Sequence, residues 1–566
     1  MLPLIQIKNL TVDFPGTEST EAALQDFSME LNRGELLAVV GESGSGKSVM
    51  ALTLMNLLSK AARVKQGSIL FSPDGNQSVE LLSIPEKKFR SYRGNQLAMI
   101  FQEPMTSLNP VMTCGAQLSE PLMQHQNLNR SQARSAALSL FGKVQMTEPE
   151  RVYEKYPHQL SGGQKQRVMI AMAISCNPCL LICDEPTTAL DVIVQKTILD
   201  LLKDLRRSEN MGMIFITHDL GLVADMADRA LVMLRGRVVE SGPVKELFIH
   251  PQHPYTRGLL MCRPALHSKG ERLPVVSDFF DSFHQPARDV KSKNIQGPER
   301  EILLRVKGLH IRYSSGKSWL GREKNWVDAI RDINFVVYRG ETLGLVGESG
   351  SGKTTLGRAL LGLNKPVQGS ISYGAAELLT MRKAELLAFR RNIQIVFQDP
   401  YSSLNPRLMI GPAISEPIKV HESLTRIERK ERVLGLLDKV DLKPEHFNRY
   451  PHAFSGGQRQ RIVIARALAL DPGFVVFDES VSALDVSIQA QVLNLINDLK
   501  ANLGFTAVFI SHDLSVIRYL CDRVMVMEKG RIVESGEAES VYLNPQTAYT
   551  RSLIEAIPGN MFRKKG

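Results

Sequence analysis

At 566 residues the chain is too long for one hydrophobic core, so two or more domains of ordinary size are expected. Hydrophobic content of 43% with 23% charged residues is that of a soluble globular protein. No apolar run approaches the roughly 18 residues of a spanning helix. The net charge of +10 suits anionic ligands, nucleic acid or an acidic membrane surface, and its one dense cluster, Arg563–Lys565, reads as a solvated end.

The opening MLPLIQIKNLTVDF lacks the basic segment and apolar core of a signal peptide, which makes cytosol the expected compartment. The apolar run Leu36–Val40 reads as a buried strand. It feeds Gly41, Glu42, Ser43, Gly44, Ser45, Gly46, Lys47 and Ser48, a match to G-x-x-x-x-G-K-[ST]. Glycines there let successive backbone N–H groups turn inward as an anion nest at a helix N-terminus. The lysine reaches the outer phosphates and the hydroxyl becomes a magnesium ligand. A stretch free of Gly and Pro predicts a helix over Val49–Ser59. The same loop returns after the apolar run Leu343–Val346, as Gly347, Glu348, Ser349, Gly350, Ser351, Gly352, Lys353 and Thr354, with Thr355 following. The chain is therefore expected to bind two nucleoside triphosphates.

The two halves match beyond the loop. FQEPMTSLNP (Phe101–Pro110) is echoed by FQDPYSSLNP (Phe397–Pro406), and YPHQLSGGQKQRVMIA (Tyr156–Ala171) by YPHAFSGGQRQRIVIA (Tyr450–Ala465). CDEPTTALDV (Cys183–Val192) is echoed by FDESVSALDV (Phe477–Val486), and ITHDL (Ile216–Leu220) by ISHDL (Ile510–Leu514). The offset falls from 347 − 41 = 306 at the loops to 455 − 161 = 294 at SGGQ and stays there, as 512 − 218 = 294 shows. The halves are collinear, a tandem duplication of domain-sized units. Residues 1–262 and 301–566 are the expected domains, and 263–300, with scattered Pro and charges, reads as an irregular linker. A polar insertion, Ser314–Trp326, interrupts the start of the second copy and reads as a surface loop. Six sparse cysteines make no disulfide framework. Cys176, Cys179 and Cys183 lack a second pair at zinc spacing, and Cys183 in the apolar run LLIC is a small buried residue.

These motifs in this order resemble the ATP-binding-cassette ATPases over both halves. The resemblance implies an α/β fold class: two tandem P-loop NTPase (ABC-type) nucleotide-binding domains, each with a mixed, largely parallel sheet and an α-helical subdomain. ATP and Mg2+ are the implied cofactors. It implies Glu185 and Glu479 as general bases that polarise the attacking water, and His218 and His512 as switch histidines at the γ-phosphate. Asp184 and Asp478, with Ser48, Thr354, Gln102 and Gln398, are the implied magnesium set. Phe14 and Tyr313 lie where members of the family stack an aromatic on adenine; an ordinary strand aromatic is the alternative. Ser161, Gly162, Gly163 and Gln164, and Ser455, Gly456, Gly457 and Gln458, open helices whose N-termini are a second anion site. In the family each closes over ATP held by the opposite cassette, which implies two composite sites in one chain. Phe454 in place of Leu and Ser480 in place of Pro remove no donor, acceptor or ligand, so two hydrolytic sites are expected.

Members of this family that act on ribosomes or DNA are the competing class. Lys47 to Ser161 is 114 residues and Lys353 to Ser455 is 102, which leaves no room for a coiled coil or zinc module. No nucleic acid is expected as a partner. HPYTRGLL (His253–Leu260) and AYTRSLIEAIP (Ala548–Pro558) resemble the dipeptide/oligopeptide/nickel import branch. That resemblance implies two integral-membrane permease subunits and an extracytoplasmic solute-binding protein as partners, and a peripheral place on the cytoplasmic face of the membrane. Short peptides, glutathione and nickel stay open as cargo, because in such importers the cargo is seen by other subunits.

Overall fold

The computed structural model describes residues 2–15, 22–102, 107–187, 190–280, 301–314, 326–482 and 484–559. They pack as two units, one reaching to Leu260 and including Pro558 and Gly559, the other Met261–Ile557. In the first unit β1 (Ile5–Asp13), β2 (Leu24–Leu31), β4 (Arg63–Phe71) and β5 (Val79–Glu80) form an antiparallel sheet in the order β2-β1-β4-β5. A second sheet holds β3 (Leu36–Val40), β6 (Leu97–Ile100), β7 (Leu180–Asp184), β8 (Gly212–Thr217), β9 (Arg229–Leu234) and β10 (Arg237–Pro243), in the order β10-β9-β3-β8-β7-β6. Its pairings are parallel except at the β9–β10 edge. The loop helix α1 (Lys47–Leu54) follows β3. Helices α2 (Cys114–Gln126), α3 (Arg130–Lys143) and α4 (Gly162–Ala173) lie between β6 and β7, where the resemblance implies a helical subdomain.

Buried parallel strands need apolar side chains on both faces, and these have them. Leu37, Val39, Leu180, Ile182, Ile214 and Ile216 point into a core shared with the antiparallel sheet and α1. Leu36, Leu181, Cys183, Met213 and Phe215 point the other way, into a core shared with α2–α4. The strand ends, where Asp184 and Thr217 stand, thus open onto one edge held from both sides. Helix α1 stops at Leu54, short of the expected Ser59. Asn56 turns left-handed (φ 51°), and the Leu57 N–H returns to the Leu52 carbonyl at 2.8 Å, a Schellman-type stop.

The second unit repeats this plan. Strands β11 (Ile302–Ser314), β12 (Trp326–Tyr338), β14 (Gln368–Tyr373) and β15 (Ala376–Glu377) form the order β12-β11-β14-β15. Strands β13 (Thr342–Val346), β16 (Ile393–Val396), β17 (Phe474–Asp478), β18 (Thr506–Ser511), β19 (Arg523–Glu528) and β20 (Arg531–Glu537) form β16-β17-β18-β13-β19-β20. The interior of the 314–326 insertion lies outside the described residues.

The stretch after residue 262 differs from the irregular linker expected there. Residues 281–300 lie outside the described part, but 261–280 belong to the second unit. Leu273 is buried, and its N–H and C=O both bond the side-chain amide of Asn494, at 3.0 and 2.8 Å. The Tyr519 hydroxyl donates to the Glu271 carbonyl at 2.8 Å, Arg272 pairs with Asp498 at 2.9 Å, and Lys269 pairs with Asp522. Backbone groups do most of this docking, so the segment carries no side-chain periodicity. Likewise the Gly559 N–H donates to Asp225 of the first unit at 2.9 Å, so the first unit gains chain from beyond residue 301. Asn494→Ala strips two partners from buried backbone, a loss of roughly 1–3 kcal/mol. Trypsin is expected to cut after Lys269 or Arg272 several-fold faster in that variant; an unchanged rate argues against the docking.

Candidate functional site: two nucleotide sites

Each phosphate loop is a turn closed on itself before any ligand is considered. In the first, the Ser45 N–H donates to the Glu42 carbonyl at 3.1 Å. The buried Lys47 ammonium donates to the carbonyls of Gly41 (2.8 Å) and Glu42 (2.9 Å), with Ser45 Oγ at 3.5 Å. In the second, Lys353 repeats these bonds to Gly347 (2.8 Å) and Glu348 (2.9 Å). Gly46 and Gly352 sit at φ 101° and 104° directly before α1 and α5 (Lys353–Leu360). A side chain at Gly46 would strike the Ala23 carbonyl at 2.6 Å, so glycine is needed for both conformation and space.

Both sheets then bring the acidic pair to the loop. Asp184 ends β7 and is buried; burial pushes its carboxyl above the usual range against a hydrogen bond from Ser48. Its Oδ1 is buried without a hydrogen-bond partner. Asp478 ends β17 in the same way, raised by burial against a bond from Thr354 Oγ1, 3.1 Å away.

Glu185 and Glu479 are the next residues, and both adopt φ 46°. Left-handed backbone is costly for a glutamate and persists only where the surroundings enforce it, a mark of functional positions. Here the enforcing bonds run from the Glu185 N–H to the Ile216 carbonyl and from the Glu479 N–H to the Ile510 carbonyl, each 3.0 Å. The turn aims the carboxylate at the loop. Gln102 Nε2 donates to Glu185 at 3.1 Å and His218 Nδ1 lies 3.1 Å from its other oxygen. In the second unit Gln398 donates to Glu479 at 2.8 Å, His512 Nδ1 stands 3.6 Å away, and Lys353 Nζ lies 3.7 Å off. Burial pushes the Glu479 carboxyl up, but His512 and Lys353 outweigh it and hold the group below the usual carboxylate range. One carboxylate, one imidazole and one amide, fixed beside an anion nest, can orient a water and accept its proton.

The signature residues build helix N-termini of their own. Ser161 caps α4, accepting from the Gln164 N–H at 3.3 Å while Gln164 reaches back to the Ser161 N–H at 3.1 Å. Ser455 and Gln458 repeat this capping box on α6 (Gly456–Ala467), with Gly162, Gly163, Gly456 and Gly457 in the first turns. The two departures differ in kind. Phe454 is buried edge-on against His446, whereas Ser480 Oγ is buried without a hydrogen-bond partner.

Phe14 follows β1, and Tyr313 stands near the end of β11 with 45% of its surface exposed. Three further residues were not read from the sequence. Asn364 Nδ2 donates to the Tyr313 hydroxyl at 2.9 Å and to the Thr355 carbonyl at 3.4 Å, tying the aromatic to the loop helix. Tyr255 and Tyr549 each accept a loop N–H, from Glu42 and Glu348, both at 3.0 Å. The signal for the tyrosines was present in the repeated Tyr-Thr-Arg; Asn364 left none, since the first copy has Leu58 at the matching place.

The family model of the ABC transporter matches residues 24–188 and 330–482. A second model, the C-terminal region of oligopeptide/dipeptide transporters, matches 239–285 and 533–565. The chain is 47% identical over 563 residues to the glutathione import ATP-binding protein GsiA of Pectobacterium atrosepticum, covering 99% of this chain and 90% of that one. It is 48% identical over 564 residues to the protein of the same name from Escherichia coli strain K12, covering 98% and 89%. With two cassettes in one polypeptide, each carrying a full phosphate loop, acidic pair and histidine, the chain belongs to the ABC transporter family.

Proposed function

We propose that the chain is the ATP-hydrolysing subunit that energises import of a short peptide, glutathione before nickel or longer peptides, through two membrane permeases. A solute-binding protein outside the membrane delivers the cargo. The observation that carries this reading is the alignment of the chain over 98–99% of its length to glutathione import ATP-binding proteins, supported by a phosphate loop, acidic pair and histidine in each unit. Among the described residues no helix is long and apolar enough to cross a membrane. The proposed place is peripheral, on the cytoplasmic face beside separate permeases.

The loops 41–48 and 347–354 hold the phosphates, with Lys47 and Lys353 turned from loop carbonyls to the anion. Phe14 and Tyr313 stack on the base. The donors near Asp184 and Asp478 fit Mg2+: hard carboxylate and hydroxyl oxygens, one of them a buried Asp184 oxygen with no hydrogen-bond partner. Ser48, Asp184 and Gln102 are the proposed holders in one site, Thr354, Asp478 and Gln398 in the other; when bound, the ion neutralises phosphate charge. Glu185 and Glu479 take the proton of the attacking water, and His218 and His512 fix those carboxylates.

The test is uptake of labelled glutathione by cells lacking the chain. The wild-type chain is expected to restore uptake, and the Glu185→Gln, Glu479→Gln pair is not. Restored uptake of nickel or a longer peptide with glutathione uptake unaffected overturns the cargo. The purified chain alone is expected to bind no peptide by calorimetry.

A further inference from the structure

The region after each cassette has no part in the chemistry described so far, yet it reaches the phosphate loop. In the first unit α7 (Pro254–Met261) carries Tyr255, which is fully buried. Its hydroxyl oxygen accepts the N–H of Glu42, the second residue of the loop, at 3.0 Å, across 213 positions of sequence. In the second unit the helix Ala548–Glu555 carries Tyr549, whose hydroxyl accepts the N–H of Glu348 at the same 3.0 Å. The two copies share the offset of 549 − 255 = 294.

The bonded peptide is the one on which the loop turns. The Glu42 carbonyl accepts from both Ser45 N–H (3.1 Å) and Lys47 Nζ (2.9 Å), while its N–H goes to the tyrosine. Glu348 has the same three partners, with Ser351 N–H at 3.1 Å and Lys353 Nζ at 2.9 Å. The tyrosine fixes one end of this unit from outside the loop. A lysine leaving the Glu42 carbonyl for a phosphate leaves that peptide with fewer restraints, so the tyrosine bond matters most when the site is filled. The helices themselves are fastened. The Gln252 and His253 N–H groups before α7 donate to Glu240 of β10 at 2.8 and 3.1 Å, and Gln546 and Thr547 repeat this on Glu534 of β20 at the same distances.

We infer that Tyr255 and Tyr549 are positioning residues for ATP binding, so that the C-terminal region of each cassette completes its own phosphate loop. The inference rests on the reading of the loops as ATP sites and names a residue outside them that holds each in shape.

The experiment is a fluorescence titration of the full chain with methylanthraniloyl-ATP. Lys353→Ala silences the second loop, so binding reports the first; Lys47→Ala does the reverse. In the Lys353→Ala background, Tyr255→Phe is expected to raise Kd about three- to tenfold, the scale of one lost hydrogen bond. In the Lys47→Ala background the same Tyr255→Phe is expected to change nothing, and Tyr549→Phe shows the opposite pattern. A loss of structural integrity moves both backgrounds, so equal shifts overturn the inference, as does an unchanged Kd where the matching loop is read. If the Lys47→Ala, Lys353→Ala double variant binds as well as wild type, the reading of the loops fails instead.

Discussion

Glu185→Gln together with Glu479→Gln is expected to lower ATP turnover by about 10²- to 10⁴-fold, the contribution of one positioned base. ATP binding is expected to survive. The amide keeps the size of the carboxylate, and the loop groups that hold the anion are untouched: Lys47 on Gly41 and Glu42, Lys353 on Gly347 and Glu348. What the change removes is the charge and basicity of the carboxylate between Gln102 and His218 in one site, and between Gln398 and His512 in the other; the amide keeps one acceptor oxygen but takes up no proton. In the second site the carboxylate also faces Lys353, which stands 3.7 Å from Glu479 and helps keep it ionised. Each single variant is expected to show a measurable drop in phosphate release, because both sites hold the same set. If Glu479→Gln alone turns over ATP at the wild-type rate, the second site does not hydrolyse. That outcome would turn attention to Ser480, the buried hydroxyl that follows the base where the first copy has Pro186.

The parts of this site legible in the sequence are those whose geometry is local. A strand buried on both faces reads as a continuous apolar run, and its end then places an aspartate without further information, as at Cys183-Asp184 and Phe477-Asp478. The tandem copy let each motif check the other. Harder to see were contacts made by common residues across long separations. Tyr255 reaches Glu42 over 213 positions, and the repeated Tyr-Thr-Arg marks the residue without showing what it touches; Asn494 reaches Leu273 over 221 and leaves no period or local pattern. The left-handed turn at Glu185 and Glu479 was hidden for another reason: it is enforced by bonds to β8 and β18, not by the residue type. The same holds for the segment 261–280, whose composition reads as irregular while its backbone finds partners on the second unit.

The second large effect separates two glycines three positions apart in one loop. A methyl at Gly347 would sit 2.1 Å from the Met527 carbonyl and 2.9 Å from Ser351 Oγ. Met527 lies in β19, bonded in the sheet beside β13, so neither the carbonyl nor the loop has room to yield. The loop must move outward, carrying with it the N-terminus of α5. The moved loop gives up hydrogen bonds to the anion, and Gly347→Ala is expected to weaken nucleotide binding there by about 10- to 10²-fold, the scale of one hydrogen bond to a charged group. At Gly350 a methyl meets nothing within 4 Å. Its φ of +81° makes alanine there unfavourable by about 1–2 kcal/mol, a cost to stability with the loop left in place. Gly350→Ala is therefore expected to bind nucleotide nearly as the parent does and to melt somewhat earlier. Titration of both variants in the Lys47→Ala background reads the difference. If the two lose binding equally, glycine serves this loop through backbone freedom alone and the tight approach to the Met527 carbonyl is incidental. If only Gly347→Ala loses it, the loop is shaped by contact with the strand behind it. The first loop then follows the same rule, since a methyl at Gly41 would sit 2.3 Å from the Met233 carbonyl and one at Gly44 would meet nothing within 4 Å.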